Sequence, residues 1–221
     1  MEPERASFKK IPLATWPRAA LFRSYKNFVE SRFALSFEAD ISPLYRLAKA
    51  RGDSFFLLTL FAIAKAYNAI PEMRRRFFSD DAVIEFDVCR PSAPLMCADG
   101  ESFRQTTLPF RPTFAEFAAS AAPIVAAVRR GDVPAEEHGV PAGSASRDIF
   151  CASCVPWLEA AGYVPATFTH GQDLHVLTWF KMSASGKVLI NSTFNHCFTD
   201  GLHATRFFNA IAENFRAPES L

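Results

Sequence analysis

One histidine stands where this sequence best supports proton transfer. His196 lies in the segment Phe-Asn-His-Cys-Phe-Thr-Asp-Gly, residues 194–201, at the predicted junction of a strand and a helix. The ends of such elements often present side chains to clefts, and histidine titrates near neutral pH, so His196 can accept a proton from a hydroxyl or a thiol. Asp200 follows four residues later. Taken alone, a histidine near an aspartate in a turn is more often a helix cap or a structural residue than a base.

The cysteines offer weaker chemistry. Cys197 is adjacent to His196. A covalent thioester route through it can be imagined, but neighbouring side chains in a strand-to-helix turn point apart. Cys151 and Cys154 form a Cys-x-x-Cys spacing in an apolar run, with no second pair of metal ligands. An odd total of five cysteines argues against a disulfide framework. We therefore expect neither redox nor zinc chemistry, and no metal site.

The composition argues against two classes of partner. The formal net charge of +1 gives no electrostatic case for binding nucleic acid or an anionic membrane. No apolar stretch is long enough to span a bilayer, and the charged N-terminus lacks the apolar core of a signal peptide, so a cytoplasmic location is expected. The basic run Arg74–Arg76 is interpreted as the solvated end of a helix. The 23 phenylalanines, against 9 glycines, are expected to fill a core and an apolar cleft.

The elements that must position the candidate base alternate between strands and helices. Phe33, Leu35 and Phe37 have the two-residue period of a half-buried strand. A capped helix is predicted from Ser42 to Gly52, and Ser54 begins a second helix that has one buried face. The predicted buried face of that helix comprises Phe56, Leu57, Leu60, Ala64 and Tyr67.

Three further strands and two helices are predicted in the second half of the chain. A capping box at Thr113–Glu116 begins a helix, and residues 131–147 after it are predicted to form a long surface loop. The strand-like runs are 148–155, 174–182 and 187–195. Ser183–Gly186 favours a hairpin between the last two runs. A final helix begins near Asp200, and its predicted buried residues are Leu202, Phe207, Ile211 and Phe215.

Together these elements predict an α/β fold, a two-layer sandwich whose mixed, largely antiparallel sheet is covered by helices. There is no internal repeat and no evident linker, so a single domain is expected across residues 1–221. In the last strand, Leu189, Asn191, Thr193 and Asn195 are expected to share one face. The sequence contains no glycine-rich phosphate loop, which leaves the dinucleotide-binding and nucleotide-binding folds unsupported.

From Arg18 onward, the chain resembles the chloramphenicol acetyltransferase family. Six short blocks match the motifs of that family in the same order over nearly the whole chain, so their combination is specific although each block alone is weak. The blocks are Trp16-Pro-Arg18 with Tyr25, Asn68-Ala-Ile-Pro71-Glu72-Met-Arg74, the run from Asp80-Asp81 to Phe103, Ser153-Cys-Val-Pro156-Trp157, Thr178-Trp-Phe-Lys181, and His196-Cys-Phe-Thr-Asp200-Gly201 followed by His203.

The resemblance implies direct acyl transfer from acetyl-CoA, without an acyl-enzyme. His196 is expected to remove the proton from an acceptor hydroxyl, which then attacks the thioester carbon. Ser153 is expected to donate a hydrogen bond to the oxyanion, a contact typically worth about 3–4 kcal/mol of transition-state stabilisation. Thr178 is expected to support the intermediate through water. Asp200 and Arg18 are expected to form a buried ion pair that fixes the loop of the histidine.

The same resemblance implies the ligands and the assembly. Acetyl-CoA is the expected co-substrate, with no tightly bound cofactor, and the expected acceptor is chloramphenicol or a similar small hydroxyl compound. The expected assembly is a homotrimer in which His196 of one subunit faces the pocket of its neighbour. Lys181 is expected to contact CoA. The expected acceptor-binding residues are Tyr25, Ser31, Phe103 and Tyr163, whose aromatic members can equally serve as ordinary core packing.

The chain departs from the family pattern mainly around the expected acceptor. Asn195 stands where the family usually has a second histidine, and Asn cannot titrate. Ser31 and Thr199 each replace a cysteine, and Pro165 and Ala166 replace larger residues. A methylene or hydroxyl gained or lost in a pocket wall changes discrimination by about 1–3 kcal/mol. The chemistry is therefore better supported than the identity of the acceptor.

Two other functions remain open. The first is an acyltransferase of the same fold that acts on a different alcohol, amine or thiol. Dihydrolipoyl acyltransferase cores share the His-x-x-x-Asp-Gly motif, but they normally carry lipoyl and linker segments, which these 221 residues lack. The second is a catalytically silent binding protein, which the joint presence of His196, Ser153, Arg18 and Asp200 disfavours.

Overall fold

The structure, a computed structural model, describes residues 6–132, 147–166 and 172–221. The predicted surface loop lies almost entirely outside these residues. The strands are β1 (Phe8–Pro12), β2 (Arg32–Asp40), β3 (Arg75–Phe77), β4 (Ala82–Phe86), β5 (Arg90–Met96), β6 (Phe103–Thr107), β7 (Ile149–Val155), β8 (Val176–Phe180) and β9 (Lys187–Asn195). The helices are α1 (Ala19–Lys26), α2 (Ser42–Arg51), α3 (Phe55–Asn68), α4 (Phe114–Arg130) and α5 (Gly201–Arg216), with short 3-10 turns at Pro71–Arg74 and Pro218–Ser220.

Six strands form one mixed sheet in the order β2-β9-β8-β7-β5-β6. β5, β7 and β8 run parallel to one another, and the remaining pairs are antiparallel. The predicted hairpin joins β8 to β9, and Gly186 adopts a φ of 84° there, a conformation that glycine tolerates best. A second sheet has the order β1-β4-β3, and the pairing of its strands was not predicted. The α/β class with a mixed sheet covered by helices is confirmed.

Local capping signals locate the helix ends well. Ser54 accepts a hydrogen bond from the backbone of Leu57 at the start of α3, and the capping box of Thr113 and Glu116 is present at the start of α4. The prediction that Ser42 caps α2 is wrong by one residue: Ile41 holds the cap position, and Asp40 accepts the backbone N–H of Ser42 at 2.9 Å. An aspartate two residues upstream thus takes over the capping role.

The main core lies between the large sheet and the helices. Val188, Ile190 and Phe194 of β9 face Phe207 and Ile211 of α5 in this core. The prediction of a single buried face for α3 is wrong, since residues 57–64 are all buried. α3 packs against neighbouring helices and the large sheet. Because it is covered on several sides, apolar residues are found all around this helix.

The predicted burial of Leu202 is also wrong, since 57% of this residue is exposed. Ala204 lies on the buried face of α5. Leu202 comes two residues earlier, so its side chain lies about 200° away from Ala204 around the helix. Within the described residues, no helix is both long and apolar enough to cross a bilayer.

The interpretation of Arg74–Arg76 as a solvated helix end is wrong. These residues run from a 3-10 turn into β3, and Arg76 is fully buried. Its guanidinium donates to neutral acceptors, namely the carbonyls of Met73, Arg75, Arg147 and Ile149, the Tyr67 hydroxyl and the Cys89 sulfur. Tyr67 in turn lies 2.6 Å from Nδ1 of His175. Burial, helped by the charge of Arg76, lowers the pKa of His175 well below its ordinary value, so this histidine is neutral.

Candidate active site

A single arginine closes the turn that carries His196. Arg18 immediately precedes α1, and its Nη1 donates to Oδ2 of Asp200 at 3.0 Å. Its other nitrogens donate to the carbonyls of His196 at 3.0 Å, Thr199 at 3.2 Å and Cys197 at 3.3 Å. The predicted ion pair is present, but it is not fully buried: 12% of the Arg18 side chain and 39% of the Asp200 side chain are exposed. Four contacts from one rigid guanidinium define the path of the turn.

The imidazole of His196 lies inside a stack of rings. The ring of Tyr25 is 4.6 Å away on one side and nearly parallel at 12°, and the ring of Phe33 is 4.2 Å away at 28°. Phe33 stacks further on Phe194 at 5.2 Å. Nδ1 of His196 is buried and has no hydrogen-bond partner in the described part of the chain. Nε2 is therefore the ring nitrogen that is left to meet another molecule.

Asp200 both pairs with Arg18 and begins α5. Its Oδ1 accepts the backbone N–H of Leu202 at 3.1 Å and lies 2.8 Å from Nδ1 of His203. Burial raises the pKa of the Asp200 carboxyl, but the Arg18 hydrogen bond and the nearby charges of His203 and Arg18 together lower it below its ordinary value. Asp200 is therefore ionised at neutral pH, and this charge ties the histidine turn to the positive end of the helix dipole.

Two of the departures from the family pattern contact each other. Nδ2 of Asn195 donates to the Ser31 hydroxyl at 3.1 Å, and Oδ1 of Asn195 accepts the backbone N–H of Cys197 at 2.8 Å. The Ser31 carbonyl accepts the backbone N–H of His196 at 2.8 Å. Both side chains are buried. Ser31, expected in the acceptor pocket, thus turns its hydroxyl to Asn195, and the two residues hold the turn through contacts separate from those of Arg18.

A row of polar side chains crosses the face of the large sheet away from the core. Register pairs Ser153 of β7 with Thr178 of β8, Thr178 with Asn191 of β9, and Asn191 with Ser36 of β2. Thr178 is 1% exposed, and its hydroxyl has no hydrogen-bond partner in the described residues. The structure thus brings the predicted Ser153 and Thr178 side by side, on neighbouring strands about 4.8 Å apart.

A groove of about 1260 Å³ opens at the carboxyl ends of the parallel strands β5, β7 and β8. Its walls are mostly apolar, and they include Ser153, Phe103 and Trp157. Among the described residues, three cations line the groove: the predicted Lys181, and Arg129 and Arg130 of α4, for which the sequence indicates no role. Clefts at this edge of an open α/β sheet are typical ligand sites.

Tyr163, the last of the predicted acceptor-binding residues, lies beside the polar row. Its ring packs edge-on against Phe180 at 5.3 Å, and its carbonyl accepts a hydrogen bond from Nδ2 of Asn191 at 3.2 Å. The side chain is 37% exposed. Tyr163 thus covers part of the polar row.

The predicted residues fall into two separate groups. One group, which we call the histidine half-site, comprises His196, Arg18, Tyr25, Ser31 and Asp200. The other, which we call the groove half-site, comprises Ser153, Phe103 and Lys181, which line the groove, together with Thr178 and Tyr163, which lie on or beside the polar row and do not line the groove. His196 follows Asn191 by five residues, and Asn191 lies two strands from Ser153. Strand geometry therefore separates the Cα atoms of His196 and Ser153 by roughly 15–20 Å, too far for both side chains of one chain to act on one small group.

Cys151, Cys154 and Cys197 are poorly suited to nucleophilic chemistry. Burial raises the pKa of Cys197 to about 11, of Cys151 to about 11 and of Cys154 to about 12. All three remain protonated at neutral pH, whereas a thiol nucleophile acts as the thiolate. The described residues also contain no cluster of three or more His, Cys, Asp or Glu side chains that can hold a metal ion.

Several contacts of the site were missed by the sequence analysis. Phe33 was assigned to a half-buried strand only, although it is the ring that stacks directly on His196. Its strand partner is Phe194, two residues before the histidine, so a pairing of the two strands from the sequence would have found it. Asn191 was placed on the correct face but given no role. Its position in the row follows from strand register, which no local motif encodes.

Comparisons with known proteins identify the family and the fold. A family model described as chloramphenicol acetyltransferase matches residues 6–212. Chloramphenicol acetyltransferase 2 from Escherichia coli is 26% identical over 210 residues, covering 93% of this chain and 95% of that protein. A solved chloramphenicol acetyltransferase superposes with a TM-score of 0.78 at 23% identity, covering 95% of this chain and 98% of the other.

A second solved structure extends the likeness in fold. A probable dihydrolipoamide acetyltransferase from Listeria monocytogenes superposes with a TM-score of 0.62 at 16% identity, covering 90% of this chain and 89% of the other. At identities below 25%, the two structural likenesses show the fold alone.

Proposed function

Because this chain belongs to the chloramphenicol acetyltransferase family of acyltransferases, we propose that it transfers an acetyl group from acetyl-CoA directly to a hydroxyl of a small acceptor, with chloramphenicol as that acceptor. His196 is the general base, and Ser153 stabilises the oxyanion. The observation that carries the proposal is the position of His196, stacked between Tyr25 and Phe33 on a turn that Arg18 holds. Because these contacts already hold the imidazole in place, little conformational entropy is lost in orienting the base when the substrate binds.

The proposed reaction has two steps. Nε2 of His196 takes the proton of the acceptor hydroxyl while its oxygen bonds to the thioester carbonyl carbon, and the carbonyl oxygen becomes an oxyanion that accepts a hydrogen bond from Ser153. The C–S bond of this tetrahedral intermediate then breaks. The acetyl ester remains on the acceptor, and the CoA sulfur leaves with the proton that His196 returns.

Charge and shape support CoA as the ligand of the groove. CoA carries several phosphates, and Lys181, Arg129 and Arg130 all line the groove. Its apolar walls suit the long pantetheine arm, and Ser153 also lines the groove, near the expected end of that arm. Acetyl-CoA is proposed as a co-substrate that binds and leaves in each turnover.

The separation of the two half-sites supports an active site shared between subunits. A base and an oxyanion donor must both reach the reacting group, so the histidine half-site of one copy must face the groove half-site of another. Exposed apolar residues accompany both half-sites: Phe28 and Val29 follow Tyr25, and Trp157 and Val164 flank the groove half-site. Contact between two different surfaces generates a closed ring when the rotation between copies closes, and we propose a homotrimer of this kind. A monomer in solution at assay concentration contradicts this assembly.

An acyltransferase with a different acceptor is the second candidate. It is favoured by the buried Ser31–Asn195 contact, because this pair replaces the residues that the family carries beside the acceptor. A different alcohol, amine or thiol then takes the place of chloramphenicol, while the roles of His196 and Ser153 stay the same.

Thiol release from acetyl-CoA tests the proposal. Wild type is expected to release thiol only when chloramphenicol is added, and His196→Ala and His196→Gln are expected to lose about 10²- to 10⁴-fold in kcat because the base is gone. Thermal melting of each variant separates loss of the base from loss of the fold. Release with other acceptors only supports the second candidate. No release by wild type across alcohols, amines and thiols contradicts the enzyme proposal.

A further inference from the structure

Asn191 is a buried amide in the middle of the polar row. Its Nδ2 donates to the Ser36 hydroxyl at 2.9 Å and to the Tyr163 carbonyl at 3.2 Å. Only 2% of the residue is exposed. Because a carbonyl oxygen can only accept a hydrogen bond, the Tyr163 contact requires the NH₂ group at this position and thereby fixes which way the amide points.

With the amide fixed, its oxygen is left without a partner. Oδ1 of Asn191 is buried and accepts no hydrogen bond in the described part of the chain. The hydroxyl of Thr178, the register partner of Asn191, is in the same state. Buried polar atoms are nearly always paired in folded proteins, so two unpaired atoms at adjacent positions indicate a place where another molecule supplies the partner.

We infer that Asn191 determines acceptor specificity: its Oδ1 accepts a hydrogen bond from a hydroxyl or N–H group of the acceptor other than the hydroxyl that is acetylated. This inference rests on the proposed function, which puts the reacting carbon beside Ser153. Asn191 lies two strands from Ser153, about 10 Å between Cα atoms, so an acceptor that fills the row from Ser153 past Thr178 brings a second group to Oδ1. Tyr163 covers the far side of this position.

The chemistry of Oδ1 defines the class of acceptor. An amide oxygen accepts and never donates, so it selects diols and hydroxy-amides over mono-alcohols and ethers of the same shape. An acceptor without the second donor leaves Oδ1 buried and unpaired, and sites of this kind discriminate strongly against such analogues. Chloramphenicol belongs to the selected class, since it has a secondary hydroxyl and an amide N–H beside its primary hydroxyl.

The test pairs a protein variant with substrate analogues. Chloramphenicol is compared with the analogue that lacks the secondary hydroxyl and with the analogue whose amide nitrogen is methylated, using wild type and Asn191→Leu. For wild type, the analogue that lacks the donor bound by Asn191 is expected to have a kcat/KM about 10- to 100-fold below that of chloramphenicol. For Asn191→Leu, the kcat/KM for chloramphenicol is expected to fall by a similar factor relative to wild type. The kcat/KM for the same analogue should change by less than about twofold, and the KM for acetyl-CoA should stay unchanged.

A matched control and a second variant keep the result interpretable. Asn214 in α5 is another partly buried asparagine, whose amide donates to the Ala62 carbonyl, and Asn214→Leu is expected to lower kcat/KM equally for all three acceptors or not at all. Asn191→Ala serves if the larger leucine prevents folding. An equal loss of kcat/KM for all three acceptors in both Asn191 variants overturns the inference and leaves the proposed function intact. A wild type that turns over none of them contradicts the proposed acceptor itself.

Discussion

The guanidinium of Arg18 and the carboxylate of Asp200, 182 residues apart in sequence, meet at 3.0 Å. The contact joins the residue before α1 to the residue that caps α5, and the histidine turn lies between them. Arg18 also donates hydrogen bonds to three carbonyls of this turn. We therefore propose that Arg18 is a positioning residue, which acts through the proposed base.

Arg18→Ala is expected to lower kcat about 10- to 100-fold, because a displacement of the base by about 1 Å can cost that much. The KM for acetyl-CoA should stay within about twofold, since Arg18 does not line the groove. Arg18→Lys keeps the charge but loses the forked donors of the guanidinium, so its kcat should lie between those of wild type and Arg18→Ala. Arg23→Ala, an exposed arginine of the same helix, is the control and should match wild type. Steady-state kinetics decide, and an Arg18→Ala enzyme with normal kcat contradicts the positioning role.

The lowered pKa of Asp200 gives a pH dependence of stability. The carboxylate binds its proton less readily in the folded chain, so its contribution to the free energy of unfolding is complete above the ordinary pKa of 3.8 and is lost as the pH falls through the lower folded value. Urea unfolding should therefore find wild type more stable than Asp200→Asn at pH 7, with a difference that shrinks below pH 3.8. If the stability difference between the two proteins stays constant as the pH falls to 2–3, roughly one pH unit below 3.8, the ion pair is not its source.

Cys197 is next to the proposed base but is expected to be dispensable. With its pKa raised to about 11, the thiol is protonated at neutral pH and cannot attack a thioester efficiently. Cys197→Ala should keep kcat within about threefold of wild type, allowing for a small cavity in a buried position. A loss in kcat as large as that of His196→Ala, with an unchanged melting temperature, revives a covalent route through the thiol.

Local signals in the sequence predicted most of the fold. The cap at Ser54, the capping box at Thr113 and the hairpin at Ser183–Gly186 each depend on a few adjacent residues, and the structure contains all three. Arg76 could not be predicted in this way, because its burial depends on carbonyls contributed by residues 147 and 149, far along the chain.

The site was predictable residue by residue but not as a geometry. Colinear motifs identify His196 and Ser153, yet motif order carries no distance, and the two residues lie in different half-sites because of strand register. Asn191 has no motif at all, and its unpaired oxygen follows only from the contact with Tyr163 on the opposite side of the amide.

Subunit complementation tests whether His196 of one subunit and Ser153 of another form one active site. Each single variant, His196→Ala and Ser153→Ala, is expected to be nearly inactive. Loss of one oxyanion donor alone typically lowers kcat about 10²- to 10³-fold. In a trimer assembled at random from equal amounts of the two variants, a site is intact when a subunit with His196 faces one with Ser153, which holds for about a quarter of sites.

The decisive measurement is chloramphenicol-dependent thiol release by the two variants after co-expression, or after unfolding and refolding them together. If the site is shared between subunits, activity rises to about a quarter of the wild-type value, far above that of either variant refolded alone. Mixed trimers that form, as seen by capture through a tag on one variant, yet remain as inactive as the separate variants contradict it.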